Sequence, residues 1–173
     1  MEVNMGLKAL GFIVVPAILI AGAGAARAET AAATWAVYRD AQGTSVEYPR
    51  DVFAVEQEPS EQEPGRVFST EDGRARFHVY SLPNPNALSP GAFMRANFRA
   101  QRSALTYDRV SQNFFALSTR RDGMIVYLRC NFSSARAGAL HCVDIRYPVN
   151  EKRDWDGIVT RISRSLRPLA SAR

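Results

Sequence analysis

Groups that ligate soft metals are scarce in this 173-residue sequence, which holds two cysteines and two histidines. A metal site would have to draw on His78, His141, Cys142 and Asp144. His141 and Cys142 are adjacent, and neighbours in a strand face opposite ways, so they do not easily share an ion. Lysine is nearly absent: Lys8 and Lys152 stand against twenty arginines. Ser–Lys catalysis would therefore rest on Lys152, and no S-x-x-K precedes it. The sequence also has no G-x-S-x-G elbow, H-E-x-x-H, Walker loop or C-x-x-C. No block of like charge occurs, which weakens any reading as a polyanion-binding tail. No cofactor or metal is implied.

There is one long apolar run, and it lies at the start. Lys8 supplies a positive n-region, Leu10 to Ala21 an apolar core broken by Pro16, and Ala26-Arg27-Ala28 an A-x-A cleavage signal. Residues 1–28 read as a signal peptide cut between Ala28 and Glu29. Met5 is an alternative start that removes Glu2 from the n-region. The uncharged run from Ala9 to Ala26 barely reaches spanning length and holds a proline and three glycines, so an uncleaved anchor is the lesser reading. Without a twin arginine, the expected route is Sec export to the periplasm or beyond. The membrane is then met only in transit, and nucleic acid is not an expected partner.

Residues 29–34 are an alanine-rich lead-in expected to be disordered, 35–168 one α+β domain, and 169–173 a flexible tail. From Glu29 on, twenty basic residues face sixteen acidic ones, an ordinary solubility charge. Trp35–Tyr38 and Ser45–Tyr48 read as strands around Asp40-Ala41-Gln42-Gly43, the second stopped by Pro49. Val52, Phe53 and Val55 form either a short helical turn or a core contact. Glu56–Gly65 (EQEPSEQEPG) reads as a solvated loop. Arg66–Ser69 and Arg74–Leu82 flank a hairpin signal at Glu71-Asp72-Gly73. Ala75, Phe77, Val79 and Ser81 share one face there, and Arg74, Arg76, His78 and Tyr80 the other.

Ser89-Pro90 is N-cap and N1 chemistry for a helix whose apolar stripe is Phe93, Met94, Ala96, Phe98 and Ala100. Arg95, Arg99 and Arg102 take its outer side. Tyr107–Val110 and Phe114–Ser118 are a further strand pair around Ser111-Gln112-Asn113. A final helix is expected over Glu151–Arg167, with Trp155, Ile158, Val159, Ile162 and Leu166 inward and Pro168 as its stop. Its arginines Arg153, Arg161, Arg164 and Arg167 are a candidate anion or partner surface, weighed against an ordinary solvated face.

The stretch Asp122–Pro148 organises the rest. It reads as two β-rich runs around a turn at Ser133–Gly138, each carrying one cysteine. Two cysteines in an exported domain pair by default. Facing Cys130 with Cys142 centres the turn on Arg136. Strand parity objects, because that register sets Leu128 and Cys130 beside Cys142, Asp144 and Arg146. Val143, Ile145 and Tyr147 then fall with Ile125 and Tyr127 on the opposite face. A one-residue slip gathers the apolar sets but separates the cysteines. Covering both faces of the sheet reconciles bond and pattern. Parity alone leaves the pairing open.

The order VEYPRDVF, FSTEDGRARFHVY, helix, MIVYLRC, VDIRYP and a tryptophan-bearing helix ending SLRP resembles small exported bacterial proteins with the PsbP-like α/β sandwich. The resemblance implies one antiparallel sheet of six to seven strands flanked by two main helices. It also implies a non-enzymatic accessory or binding module whose ligand is a protein or an envelope component. No residues match those that bind photosystem subunits, so that role is not carried over. The alternatives are a small periplasmic hydrolase built around His78 and His141 with Asp144 and Tyr80, and a membrane-tethered form of the binding module.

Overall fold

The structure is a computed structural model and describes residues 33–58, 60, 64–98, 104–133 and 138–169. The signal peptide, the Ala28/Glu29 cleavage point, most of the lead-in and of the tail, Arg99, Ala100, Arg102 and the turn centre Arg136 lie outside the described residues. Among the described residues no helix is long and apolar enough to cross a membrane.

Among the described residues, ten strands and two α-helices follow in order: β1 (Trp35–Arg39), β2 (Thr44–Pro49), β3 (Val55–Gln57), β4 (Arg66–Ser69), β5 (Arg76–Leu82), α1 (Pro90–Asn97), β6 (Leu105–Val110), β7 (Phe114–Arg121), β8 (Met124–Phe132), β9 (Leu140–Pro148), α2 (Lys152–Ser165), led in by a 3-10 turn at Val149–Glu151, and β10 (Arg167–Pro168). Seven form one sheet in the order β3-β4-β5-β9-β8-β7-β6, and every neighbouring pair is antiparallel. The other three make a second sheet, β1-β2-β10. A single sheet is therefore a correction to be made: the first hairpin, β1-β2, stands apart from the main sheet and packs onto it.

The β8-β9 hairpin lies in the interior of the large sheet in the register that faces Cys130 with Cys142. The two are bonded, with Cα atoms 4.1 Å apart. The parity conflict resolves because both faces are covered. On one face Ile125, Val143, Ile145 and Tyr147 join Val46, Phe53, Phe68, Phe77 and α2's Trp155, Val159 and Ile162. On the other, Leu128, Cys130, Leu140 and Cys142 pack with Phe115, Leu117 and α1's Phe93. A strand buried on both sides carries apolar residues at both parities. Each large side chain removed from water contributes roughly 1.5–3 kcal/mol, which is why Phe77, Val79, Val143 and Ile145 at 0% exposure anchor the layers.

α1 begins where the sequence places it: the Ser89 side chain accepts from the Ala92 N–H, and Pro90 takes the first turn. Phe93 is buried, whereas Ala96 is exposed and leaves the apolar stripe. α2 ends at Ser165, earlier than expected, and Pro168 does not stop it. Arg167–Pro168 instead pairs with Thr44–Ser45 of β2. Within the supposed acidic loop, Val55–Gln57 pairs with β4 as an exposed edge strand. Glu56 and Glu58 reach Arg66 across that edge, at 3.2 and 2.9 Å. Phe53 is the core contact of its segment, while Val55 is 40% exposed.

Candidate functional site

The two histidines lie on opposite faces of the large sheet. His78 of β5 faces Asp144 of β9 directly across the pair. Its ring lies 4.5 Å from that of Tyr80, and its Nε2 is 2.8 Å from the Pro64 carbonyl oxygen. Arg146 reaches Asp144 at 3.4 Å. Burial raises the pKa of Asp144, while Arg146, His78 and Arg76 oppose the rise. Burial likewise pushes the Tyr80 hydroxyl well above its ordinary value. These groups form a charge ladder in which the carboxylate is held between cations, as a strand-to-strand staple requires.

His141 points the other way, toward the small sheet. It is 3% exposed, and its Nδ1 lies 2.9 Å from Thr44 Oγ1 and 3.4 Å from Ser81 Oγ. Desolvation lowers its pKa, with Asp40 pulling upward. The ring is thus a hydrogen-bonded wedge between β2 and β9. The hydrolase constellation of His78, His141, Asp144 and Tyr80 does not assemble: three members gather, and His141 is separated from them by the thickness of the sheet. A general base and its orienting carboxylate need mutual hydrogen-bond reach.

The arginines of α2 and its exit are all exposed, but two of them are tied down. Arg161 donates to Glu47 Oε2 at 2.9 and 3.1 Å, and its guanidinium stacks 3.9 Å above the Trp35 ring. Arg167 donates to the main-chain carbonyls of Arg164 and Leu166. Arg161, Arg164 and Arg167 line a shallow groove of about 640 Å³ together with Glu47 and Asp156, so its charges are mixed. Arg153 lies outside that groove.

A larger cleft, of about 1350 Å³, opens around one end of the seven-stranded sheet. It is walled by the first turn of α1, the β6-β7 turn, the adjoining ends of β8 and β9, and the Pro168–Leu169 segment. His141 is part of its floor. Beside it, Asn131 donates to the Leu166 carbonyl at 2.8 Å and fastens the C-terminal segment to β8. Arg129 stacks over Phe114 at 3.8 Å and donates to Asn131 Oδ1 at 2.8 Å. A concave space of this size has room for a small ligand, and its walls combine strand ends, the first turn of α1 and the β6-β7 turn. Neither Arg129 nor Phe114 stands out by motif. A signal was present all the same: Arg129 occupies the same strand face as Ile125 and Tyr127, where a charge needs a reason.

No family model matches the sequence, and no curated protein does. Among solved structures, the chain is similar to the cyanobacterial PsbP (CyanoP) from Synechocystis sp. PCC 6803, with a TM-score of 0.59 at 13% identity, over 81% of this chain and 95% of that one. Identity that low speaks to the backbone arrangement alone. The sheet, its two flanking layers and its helix positions therefore have the PsbP-like fold.

Proposed function

We propose that this chain is an exported, non-enzymatic binding module whose partner is a protein or an envelope component. The observation that carries the reading is the pre-formed cleft at the end of the sheet, with the nearest histidine committed to Thr44 and Ser81. Catalysis by a histidine needs a ring nitrogen that meets substrate and an orienting acid, and His141, the histidine of the cleft, lies across the sheet from Asp144, which favours binding there. The bonded, fully buried cysteines support an oxidising compartment. The PsbP-like backbone agrees with an accessory role.

The test uses the full chain expressed with its own leader and recovered from the periplasm. The intact mass should begin at Glu29, and both thiols should resist alkylation until reduction. A full-length mass with two free thiols overturns export. The natively purified protein should carry a retained component at fixed stoichiometry, released unchanged on denaturation. Conversion of that component by the refolded protein would make it an enzyme, and recovery with nothing bound would remove the binding role.

A further inference from the structure

The cleft has a sign. Among its described lining residues the charged ones are Arg95 and Arg129, and none is aspartate or glutamate. The shallow groove on α2, by contrast, pairs Arg161 with Glu47 and also holds Asp156, which Lys152 engages. Arg129 is half-buried, and the groups that bear on it most strongly are Tyr127, Arg167 and Arg109, two of them further cations. Arg109 also lies over the Phe114 ring, at 5.8 Å. The flat face of Phe114 thus gathers two guanidinium groups beside the cleft, and desolvation depresses the pKa of Arg129. Arg95 folds back so that its Nη1 lies 3.2 Å from where a Cβ on Gly91 would be, which sets it at the first turn of α1, the positive end of that helix's dipole. Apolar surface adjoins these charges: Val110 and Leu169 line the cleft at 45% and 42% exposure.

We propose that this cleft binds an organic oxyanion, a carboxylate or phosphate joined to an apolar body, with the head at Arg129 and the body against Phe114 and Leu169. The guanidinium fork matches either head in a bidentate geometry. A head group there meets the guanidinium of Arg129, which Arg167 and Arg109 crowd with like charge. The assignment rests on the binding-module reading and deepens it by naming the chemistry of the ligand.

The experiment is a titration of the isotope-labelled exported chain, followed by amide chemical shifts, with phenyl phosphate, benzoate and benzylamine as probes. The two anions should saturate, moving the amides of Gly91, Ser111 and Asn113, while benzylamine should leave them in place. R129Q should weaken anion binding about tenfold. Q112E, an exposed rim change that adds a carboxylate without touching the core, should weaken it about threefold. R164Q, outside the cleft, should not alter it. Failure of both anions to saturate, equal binding of benzylamine, or equal loss in R164Q overturns the assignment. Vesicles of phosphatidylglycerol that displace phenyl phosphate identify a lipid head as the source, and vesicles that do not displace it identify a soluble anion. If the chain retains its envelope component yet binds neither anion, the oxyanion assignment falls and the binding role stands. If the anions bind while nothing is retained, the oxyanion assignment stands and the retained envelope component falls.

Discussion

Removing the Cys130–Cys142 bond should cost about 3 kcal/mol through the unfolded chain alone. The bond joins residues 12 apart, and the chain-entropy model gives that value for a loop of this size. Both cysteines are at 0% exposure under α1, packed with Phe115, Leu128 and Leu140. Replacing each by alanine also strips a sulfur of roughly methylene size from a filled site, about 1 kcal/mol apiece. Reduction of the wild-type chain should therefore lose about 3 kcal/mol, and the C130A/C142A variant about 5 kcal/mol. With a urea slope of about 2 kcal/mol/M, the midpoints should fall by about 1.5 M and 2.5 M. The slope itself should steepen, because an uncrosslinked unfolded chain expands further. Urea unfolding followed by the fluorescence of Trp155 reads all three quantities. A reduced protein within about 1 kcal/mol of the oxidised one would refute the argument, since the loop would then contribute almost nothing.

Two glycines should respond in opposite directions. A methyl group at Gly157 meets nothing within 4 Å, so G157A should stabilise α2 by about 1 kcal/mol. At Gly65, φ is +100° and a Cβ would fall on the Val79 carbonyl oxygen and 2.8 Å from Tyr80 Cβ, so G65A should destabilise by at least about 2 kcal/mol. Thermal melts decide both, and a neutral G65A would contradict the close approach of Gly65 to Val79 and Tyr80 of β5. T44V removes the nearer partner of His141 Nδ1 and should cost about 1–3 kcal/mol in urea unfolding; a change below about 0.5 kcal/mol would show that Ser81 suffices. The pH dependence follows from the same ring. Because the folded pKa of His141 is depressed, the unfolded chain binds more protons once the pH falls below its ordinary value of 6.5. Its contribution is therefore complete above that pH and declines as the pH drops through the folded value. Asp144 acts oppositely at lower pH: its raised pKa favours the fold below 3.8, an advantage lost as the pH climbs through the folded value. Urea midpoints between pH 8 and 5 should fall in the wild type and flatten in H141Q.

Local chemistry made much of this fold legible. Ser89-Pro90, the Glu71-Asp72-Gly73 turn, the period of Trp155, Val159 and Ile162, and the facing cysteines are signals carried within a few residues of the structure they specify. The two-sided burial of β8 and β9 followed from the parity conflict itself. β3 escaped because its three residues are exposed and its pairing rests on main-chain bonds and Arg66, neither of which leaves an apolar period. β10 escaped because two residues after a helix carry no period at all, and Pro168 has an equally good reading as a helix stop. Nothing local separates β1-β2 into its own sheet, since alternation fixes the faces of a strand and not its neighbours. His141 could have been placed inside, as it shares the parity of Val143, Ile145 and Tyr147. The cleft draws its walls from segments spread across more than a hundred positions, so no window of sequence contains it.

The small sheet has a consequence for the order in which the molecule can be finished. β10 and Leu169 come from the end of the chain, yet they pair with β2 near its beginning: Arg167 faces Ser45, Pro168 faces Thr44, and the Leu169 N–H reaches the Gly43 carbonyl at 2.6 Å. A chain made or threaded from its N-terminus holds β2 with one edge open until β10, more than a hundred residues later, arrives. The same residues supply a wall of the cleft. Closure of the opening strands and completion of that wall therefore depend on the same contact, and a chain in which β10 has yet to form would be folded through its middle and unlatched at β2.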